Sequence, residues 1–492
     1  MNKKVTIRRL ATGVPGLDAI LGGGLPEFSF NLISGAPGSG KTTLAHQIMF
    51  SLATRKGPAL FFTVLGEPPL KMLRYQQQFS FFDLDKINDS IHFINLSDNF
   101  AVRNFDEVLA RITKEVETVS PSLVFVDSFR SVVVDVQHQA KDTVSQQQFI
   151  QQLGIQLSYW QATTFLIGEY LLDVDPHPVF TVADGILSLS QNVQRNSMVR
   201  KMQVLKMRGQ ATPPGMHSFR ITGNGIEVYP AALVPDDAKS APVEVQPRSH
   251  ERLAIGVPGL DDMLGGGLPS GYSLLVAGPS GSGKTILATA FLTEGVRRGE
   301  PGVIVAFEQT PSQSWNPAID TMVRAGQIGL INTRSLDLSM DEIVQNMIAL
   351  IHKMKATRVV IDSLSGFELA VAPSFREDFR ESLFRMVSVL AGLGVTMIMT
   401  SELEDRYTDL RFSPYGSAFL TDAIIVQRYI EVDSCLQRVM AVVKVRASDH
   451  SNEIRMFDIT DDGIVIKDPI HGYEGILAGQ PTRTIEASHP VD

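Results

Sequence analysis

"GAPGSGKTT" (Gly35–Thr43) follows a short apolar run, and nearly the same phrase returns as "GPSGSGKTI" (Gly278–Ile286). In the pattern GxxxxGK[ST] the glycines let backbone amides turn inward around phosphate oxygens. The helix that comes next points its positive end at the same anion. The first half offers Gly35, Gly38, Ser39, Gly40, Lys41, Thr42 and Thr43 as such a cradle. The second offers Gly278, Gly281, Ser282, Gly283, Lys284, Thr285 and Ile286. Lys41 and Lys284 can each reach the β- and γ-phosphates, and Thr42 and Thr285 each present a hydroxyl to a bridging Mg²⁺. The implied ligands are ATP and Mg²⁺. A glycine-rich turn that binds nothing is the bland alternative for one copy, and duplication makes it remote.

Working outward, "RLATGVPGLDAILGGGLP" (Arg9–Pro26) matches "RLAIGVPGLDDMLGGGLP" (Arg252–Pro269). Later landmarks recur in the same order: "LVFVDSF" around Asp127 against "VVIDSLS" around Asp362, "FLIGEY" ending in Tyr170 against "MIMTSE" ending in Glu402, and "LKMRG" at Lys206 against "VKVRA" at Lys444. A chain of 492 residues is also too long for one ordinary core. The reading is a duplicated domain, 1–235 and 251–470, with a linker at 236–250 inside a Pro-, Asp-, Ser- and Ala-rich stretch and a tail at 471–492. Beyond Ile466 the pattern weakens, and the polar end is expected to be loose unless something holds it. Within each half, short apolar runs alternate with longer stretches of helical period. That pattern predicts an α/β fold, with a mostly parallel sheet flanked by helices.

Composition sets outer limits. Apolar residues at 44% with charged residues at 20% describe a folded globular protein. A net charge of −9 argues against a surface devoted to nucleic acid. The single cysteine, Cys435, cannot form an internal disulfide and is read as a small buried apolar residue. With no signal-type apolar segment and no apolar run of about 18 residues, a cytoplasmic protein away from membranes is expected. The histidines show no metal-binding spacing. "SQQQFIQQL" reads as an exposed or interface helix, and "ELEDRYTDLRF" as a solvated loop.

Hydrolysis needs more than a cradle. Asp127 and Asp362 end apolar strands, where a carboxylate can hold the Mg²⁺ shell. A base must also orient the attacking water. Glu308, in "VIVAFEQTP", ends the strand after the second P-loop helix; the first half has Leu65 at that place, and its nearest acid is Glu67. Slower turnover is therefore expected in the first site. Lys206 and Arg208, like Lys444 and Arg446, alternate so that both side chains share one strand face. A solvated edge is the competing reading, but their recurrence suits charge stabilisation of a transferring phosphoryl group. If they act on a neighbour's nucleotide, the protein is a ring.

Taken together, "GVPGLD", the "GGGLP" beyond it in each half, "FEQTP", "VVIDSLS", "TDAIIVQRYIE" and "KDPIHGYEGILAGQPTR" resemble the KaiC family within the RecA-like ATPases, over Leu10 to about Arg483. The resemblance implies a two-tiered homo-hexamer with ATP between subunits, Lys206, Arg208, Lys444 and Arg446 reaching across the interface, and a ring stabilised by ATP. It also implies serine/threonine autokinase chemistry in the second domain. The family's adjacent Ser-Thr pair, however, falls here on Ala418 and Phe419, with Ser413, Ser417 and Thr421 nearby. An autokinase cycle that is absent or relocated is expected, and a KaiB-like or signalling-protein partner is implied. Two competing functions remain: a DNA-acting RecA-type recombinase or helicase, and a nucleotide-stabilised scaffold with little turnover.

Overall fold

A computed structural model describes residues 7–63, 69–96, 105–127, 152–156, 159–170, 179–194, 197–231, 251–307, 317–332, 339–371, 379–403, 420–432, 434–478 and 481–483. The chain divides into two compact units, Met1–Ala231 and Ala232–Asp492. Each carries one nine-stranded sheet.

In the first unit the sheet strands are β1 (Phe30–Gly35), β2 (Ala59–Thr63), β3 (Ile91–Asn95), β4 (Leu123–Asp127), β5 (Thr163–Gly168), β6 (Gly185–Gln194), β7 (Ser197–Met207), β8 (His217–Thr222) and β9 (Gly225–Tyr229). Those of the second are β10 (Ser273–Gly278), β11 (Gly302–Ala306), β12 (Ile328–Asn332), β13 (Arg358–Asp362), β14 (Thr396–Glu402), β15 (Ala423–Val432), β16 (Cys435–Val445), β17 (Ile454–Thr460) and β18 (Gly463–Pro469). Their spatial order is 3-2-4-5-1-6-7-8-9 in one sheet and 12-11-13-14-10-15-16-17-18 in the other, the same path strand for strand. The pairings from β3 to β6 are parallel and those from β6 to β9 antiparallel; β12 to β15 and β15 to β18 repeat this division. These are two tandem RecA-like α/β domains.

The parallel half explains why its strands read as unbroken apolar runs. Every residue of β1, β2, β5, β10 and β11 is buried, because helices cover both faces. Helix α1 (Lys41–Leu52) continues directly from the first glycine loop and buries Leu44, Ala45, Ile48 and Met49 against the sheet. Helix α2 (Lys284–Arg297) does the same in the second unit with Leu287, Ala288, Phe291 and Leu292. Both strands that feed the glycine loops are central, so each loop emerges at the carboxyl edge of the sheet between two strands that diverge around it.

Two expectations need correction. Cys435 is exposed, not buried: it begins β16, pairs with Val432, and so sits beside a hairpin turn. The end of the chain is not loose throughout, because Tyr473–Glu474 pairs with Thr482–Arg483 and Ile476 is buried with Ile430 and Val439. Ile476, with Ile470 and Tyr473 packed beside it, anchors to a receptive hairpin a segment whose composition reads as polar. No described helix is long and apolar enough to cross a membrane. The "SQQQFIQQL" and "ELEDRYTDLRF" stretches lie mostly outside the described residues.

Candidate functional site

Each helix beyond a glycine loop starts from a left-handed glycine, Gly40 at φ 101° and Gly283 at φ 99°, and no side chain caps either helix. A Cβ at Gly40 would lie 2.9 Å from Ile221 Cδ1, and one at Gly283 3.0 Å from Ile459 Cδ1. The backbone dihedral therefore favours glycine, and a side chain would also have to push the isoleucine tip aside. The first amides of each helix are left to face an anion rather than a cap. Lys41 Nζ donates to the carbonyls of Gly35 and Ala36, each at 2.9 Å, and Lys284 Nζ donates to Gly278 O at 2.8 Å and Pro279 O at 2.7 Å. The ammonium is thus folded over the same turn whose amides line the cradle. Burial pulls the Lys41 ammonium below its usual range, with Glu169 and Asp127 opposing the shift.

The metal-side pair is built alike in both units. Thr42 Oγ1 donates to Asp127 Oδ2 at 2.7 Å, and Thr285 Oγ1 to Asp362 Oδ2 at 2.8 Å. A hydroxyl can give its proton to a carboxylate and still offer a lone pair to a cation. This donor set, one hydroxyl and one carboxylate beside a phosphate cradle, fits Mg²⁺. Around it the units diverge. Thr400, buried on β14, donates to Asp362 Oδ1. In the first unit the register puts Ile167 in that place. Ser282, buried inside the second loop, donates to Gln427 Oε1 at 3.0 Å, and the corresponding neighbour of the first loop is Leu189.

Register also revises the alignment of the repeats. Ser34 pairs with Gly168 and Ala277 with Ser401, so Glu169, not Tyr170, corresponds to Glu402. Glu169 was not selected by sequence reading, yet its charge acts on Lys41. The signal was present in the "GE" of FLIGEY, one residue from where the repeats were matched. Glu308, Glu67, Leu65, Ser413, Ser417, Ala418 and Phe419 lie outside the described residues. The strands leading to the two acids end at Ala306 and Thr63, the register partners of Asp362 and Asp127. Thr421 is fully buried.

The four basic residues stand elsewhere. Lys206 Nζ donates to the carbonyls of Phe180 and Thr181, and Lys444 Nζ to that of Thr421 at 2.7 Å. Arg208 pairs with Asp184 at 3.0 Å and Arg446 with Asp422 at 3.4 Å, with 60% and 57% of the two arginine side chains exposed. Desolvation, then the neighbouring arginine, lowers the pKa of Lys206 and of Lys444. A β-bulge precedes each lysine: Ile186 pairs with Lys206 but Leu187 with Val204, and Ile424 pairs with Lys444 but Ile425 with Val442. The extra residue, Leu205 or Val443, bends the strand and re-aims the side chains beyond it. Gly185, the partner of Met207, also pairs with Asn31, whereas Leu189 pairs with Gly35. Four residues along the sheet, about 13 Å, thus separate this basic end from the chain's own P-loop.

These features have close parallels. The family model described as ATPase: KaiC matches residues 10–232 and again 253–470. The circadian clock oscillator protein KaiC of Picosynechococcus sp. is 28% identical, with 97% of this chain and 93% of that protein covered. KaiC 1 of Synechocystis sp. is likewise 28% identical over 97% of this chain and 92% of its own length, and KaiC of Prochlorococcus marinus is 26% identical over 97% and 96%.

Proposed function

The chain belongs to the KaiC family of ATPases, and from that premise we propose that it is an ATP-hydrolysing homo-hexamer with a nucleotide site in each half. The observation that carries the reading is the separation within each sheet. The cradle and its Thr–Asp pair lie at one end, and a half-buried lysine with an exposed arginine lies at the other, out of reach of the same chain's P-loop. A head-to-tail ring brings the second end of one protomer to the first end of the next.

In that arrangement the loop amides and Lys41 or Lys284 bind and orient the β- and γ-phosphates. Thr42 with Asp127, and Thr285 with Asp362, hold Mg²⁺, which when bound neutralises charge across the phosphate oxygens. Arg208 and Arg446, steadied by Asp184 and Asp422, supply positive charge to the neighbour's transferring group, with Lys206 and Lys444 beside them. Glu308 orients water in the second site, while Glu67 stands two positions past the matching place in the first, so most turnover belongs to the second half. Neither Ala418 nor Phe419 has a hydroxyl, so we propose hydrolysis without phosphoryl storage at that place. A clock-type or signalling output through a KaiB-like partner, in the cytoplasm, completes the proposal on the strength of the relatives' names.

Sizing the purified chain with and without Mg-ATP, with phosphate release and mass spectrometry on the same sample, tests this. The expected result is a six-subunit species that needs nucleotide, because a ligand bound only by the assembled state favours assembly. A monomer in saturating Mg-ATP that releases no phosphate refutes it. Stoichiometric phosphate between residues 413 and 421 refutes the last part alone.

A further inference from the structure

We propose that Thr400 is a positioning residue for the metal side of the second site, and that Ile167 withholds the same support from the first. This rests on the reading of both sites as Mg-ATP sites. Thr400 lies on the strand between the P-loop strand β10 and the acid-bearing strand β13, fully buried, with its hydroxyl donated to Asp362 Oδ1. Thr285 takes Oδ2 of the same carboxylate at 2.8 Å. Each oxygen of Asp362 therefore receives one side-chain donor. A carboxylate has about four acceptor sites, so a lone pair remains on each oxygen for a cation or its water. With one donor on each side, rotation of the carboxylate about its Cβ–Cγ bond would break both bonds, and the remaining lone pairs keep one direction.

The first unit has the same backbone and a different side chain. Asp127 pairs in register with Ile167, as the strand order predicts, and isoleucine has no hydroxyl to give. Thr42 holds Asp127 Oδ2, and the residue in register on strand β5 supplies that carboxylate with no hydroxyl. Groups that orient a ligand for a metal are commonly worth ten- to hundredfold in metal affinity. The two sites should accordingly differ in their hold on a divalent cation before any difference in their catalytic bases is felt.

Manganese, which takes the same oxygen ligands and has an electron-paramagnetic signal, provides a readout apart from turnover. In the full chain carrying Lys41→Ala, so that only the second site is loaded, Mn²⁺ is titrated in the presence of a non-hydrolysable ATP analogue. Thr400→Val is expected to weaken Mn²⁺ about tenfold with analogue affinity in chelator unchanged, and Thr400→Ser to restore it. Unchanged Mn²⁺ affinity in Thr400→Val, or a serine variant as weak as the valine one, overturns the inference. Should the valine variant fail to fold, Ile167→Thr in a Lys284→Ala chain decides: tighter Mn²⁺ in the first site supports the inference, and no change overturns it. If the parent chain binds no analogue at all, the Mg-ATP reading falls and this inference with it; if it binds and only the Thr400 effect is missing, this inference falls alone.

Discussion

The two halves take the same path strand for strand and yet build the layer beneath the cradle from different materials. Under α1 the first sheet lines up Phe61, Phe125 and Phe165 across β2, β4 and β5, with ring centroids 6.0 and 4.6 Å apart. Under α2 the same positions hold Ile304, Val360 and Ile398. His46 is buried in α1 against Phe61 and Phe93, and Thr289 takes its place in α2. Where β4 begins with Leu123, β13 begins with Arg358, a wholly buried guanidinium that pairs with Glu300 at 2.7 Å, donates to the carbonyls of Ala254 and Phe291, and lies over the Phe291 ring. Gly295 leaves it room, for a Cβ there would come within 2.5 Å of Arg358 Cδ. Apolar volume and strand period suffice for the fold; the chemistry depends on a few residues at the strand ends.

Three experiments break or sharpen this comparison. The largest effect should come from the cations: Arg446→Ala is expected to lower phosphate release at the second site by about a thousandfold, the lower end for an arginine that stabilises phosphoryl transfer. Arg208→Ala should take away only a minor part of total turnover. Equal losses from the two would erase the proposed inequality of the sites.

Next is acid stability. Burial lowers the pKa of His46 to about 4. Its folded value lies below the unfolded one of about 6.5, so the unfolded chain takes the proton first. The stability it contributes is complete above about pH 6.5 and is lost as pH falls toward 4, roughly 3 kcal/mol in all. Denaturant titrations across that range should show the first half weakening with acid in the parent chain and that dependence flattening in His46→Leu. A slope that survives the substitution assigns the effect elsewhere.

The smallest effect concerns the buried arginine. Glu300→Ala leaves Arg358 without its carboxylate and should cost the second half about 2 kcal/mol, less than a fully buried pair because Glu300 is 28% exposed. Arg358→Leu, which imports the residue of the first half, should cost less than that. Chemical denaturation of the two variants checks the order, and the reverse order would mean that the guanidinium contributes chiefly through its packing and carbonyl contacts.

Much of this was legible from the chain itself. The two P-loops, the acids at Asp127 and Asp362, and the strands that carry them emerge from local pattern, because a strand buried on both faces must be apolar throughout and a cradle must be glycine-rich. Thr400 and Glu169 were not selected, since their importance comes from register between strands far apart in sequence. The same holds for the bulges before Lys206 and Lys444, which alternation along a single strand cannot reveal. Cys435 and Ile476 went the opposite way to their composition for one reason: a hairpin end exposes an apolar residue, and a neighbouring hairpin face can bury one from a polar tail.

The distance between Gly35 and Arg208 along one sheet gives each subunit a direction, and with it a genetics. In the proposed ring, a subunit damaged at its cradle would spoil the seam on one flank, and a subunit damaged at its arginine would spoil the seam on the other. Co-assembled, a Lys284→Ala subunit and an Arg446→Ala subunit, each crippled at the second site when pure, would meet so that one flank of a subunit collects both defects and the other pairs an intact cradle with an intact arginine. Mixed rings should therefore regain second-site turnover that neither parent has.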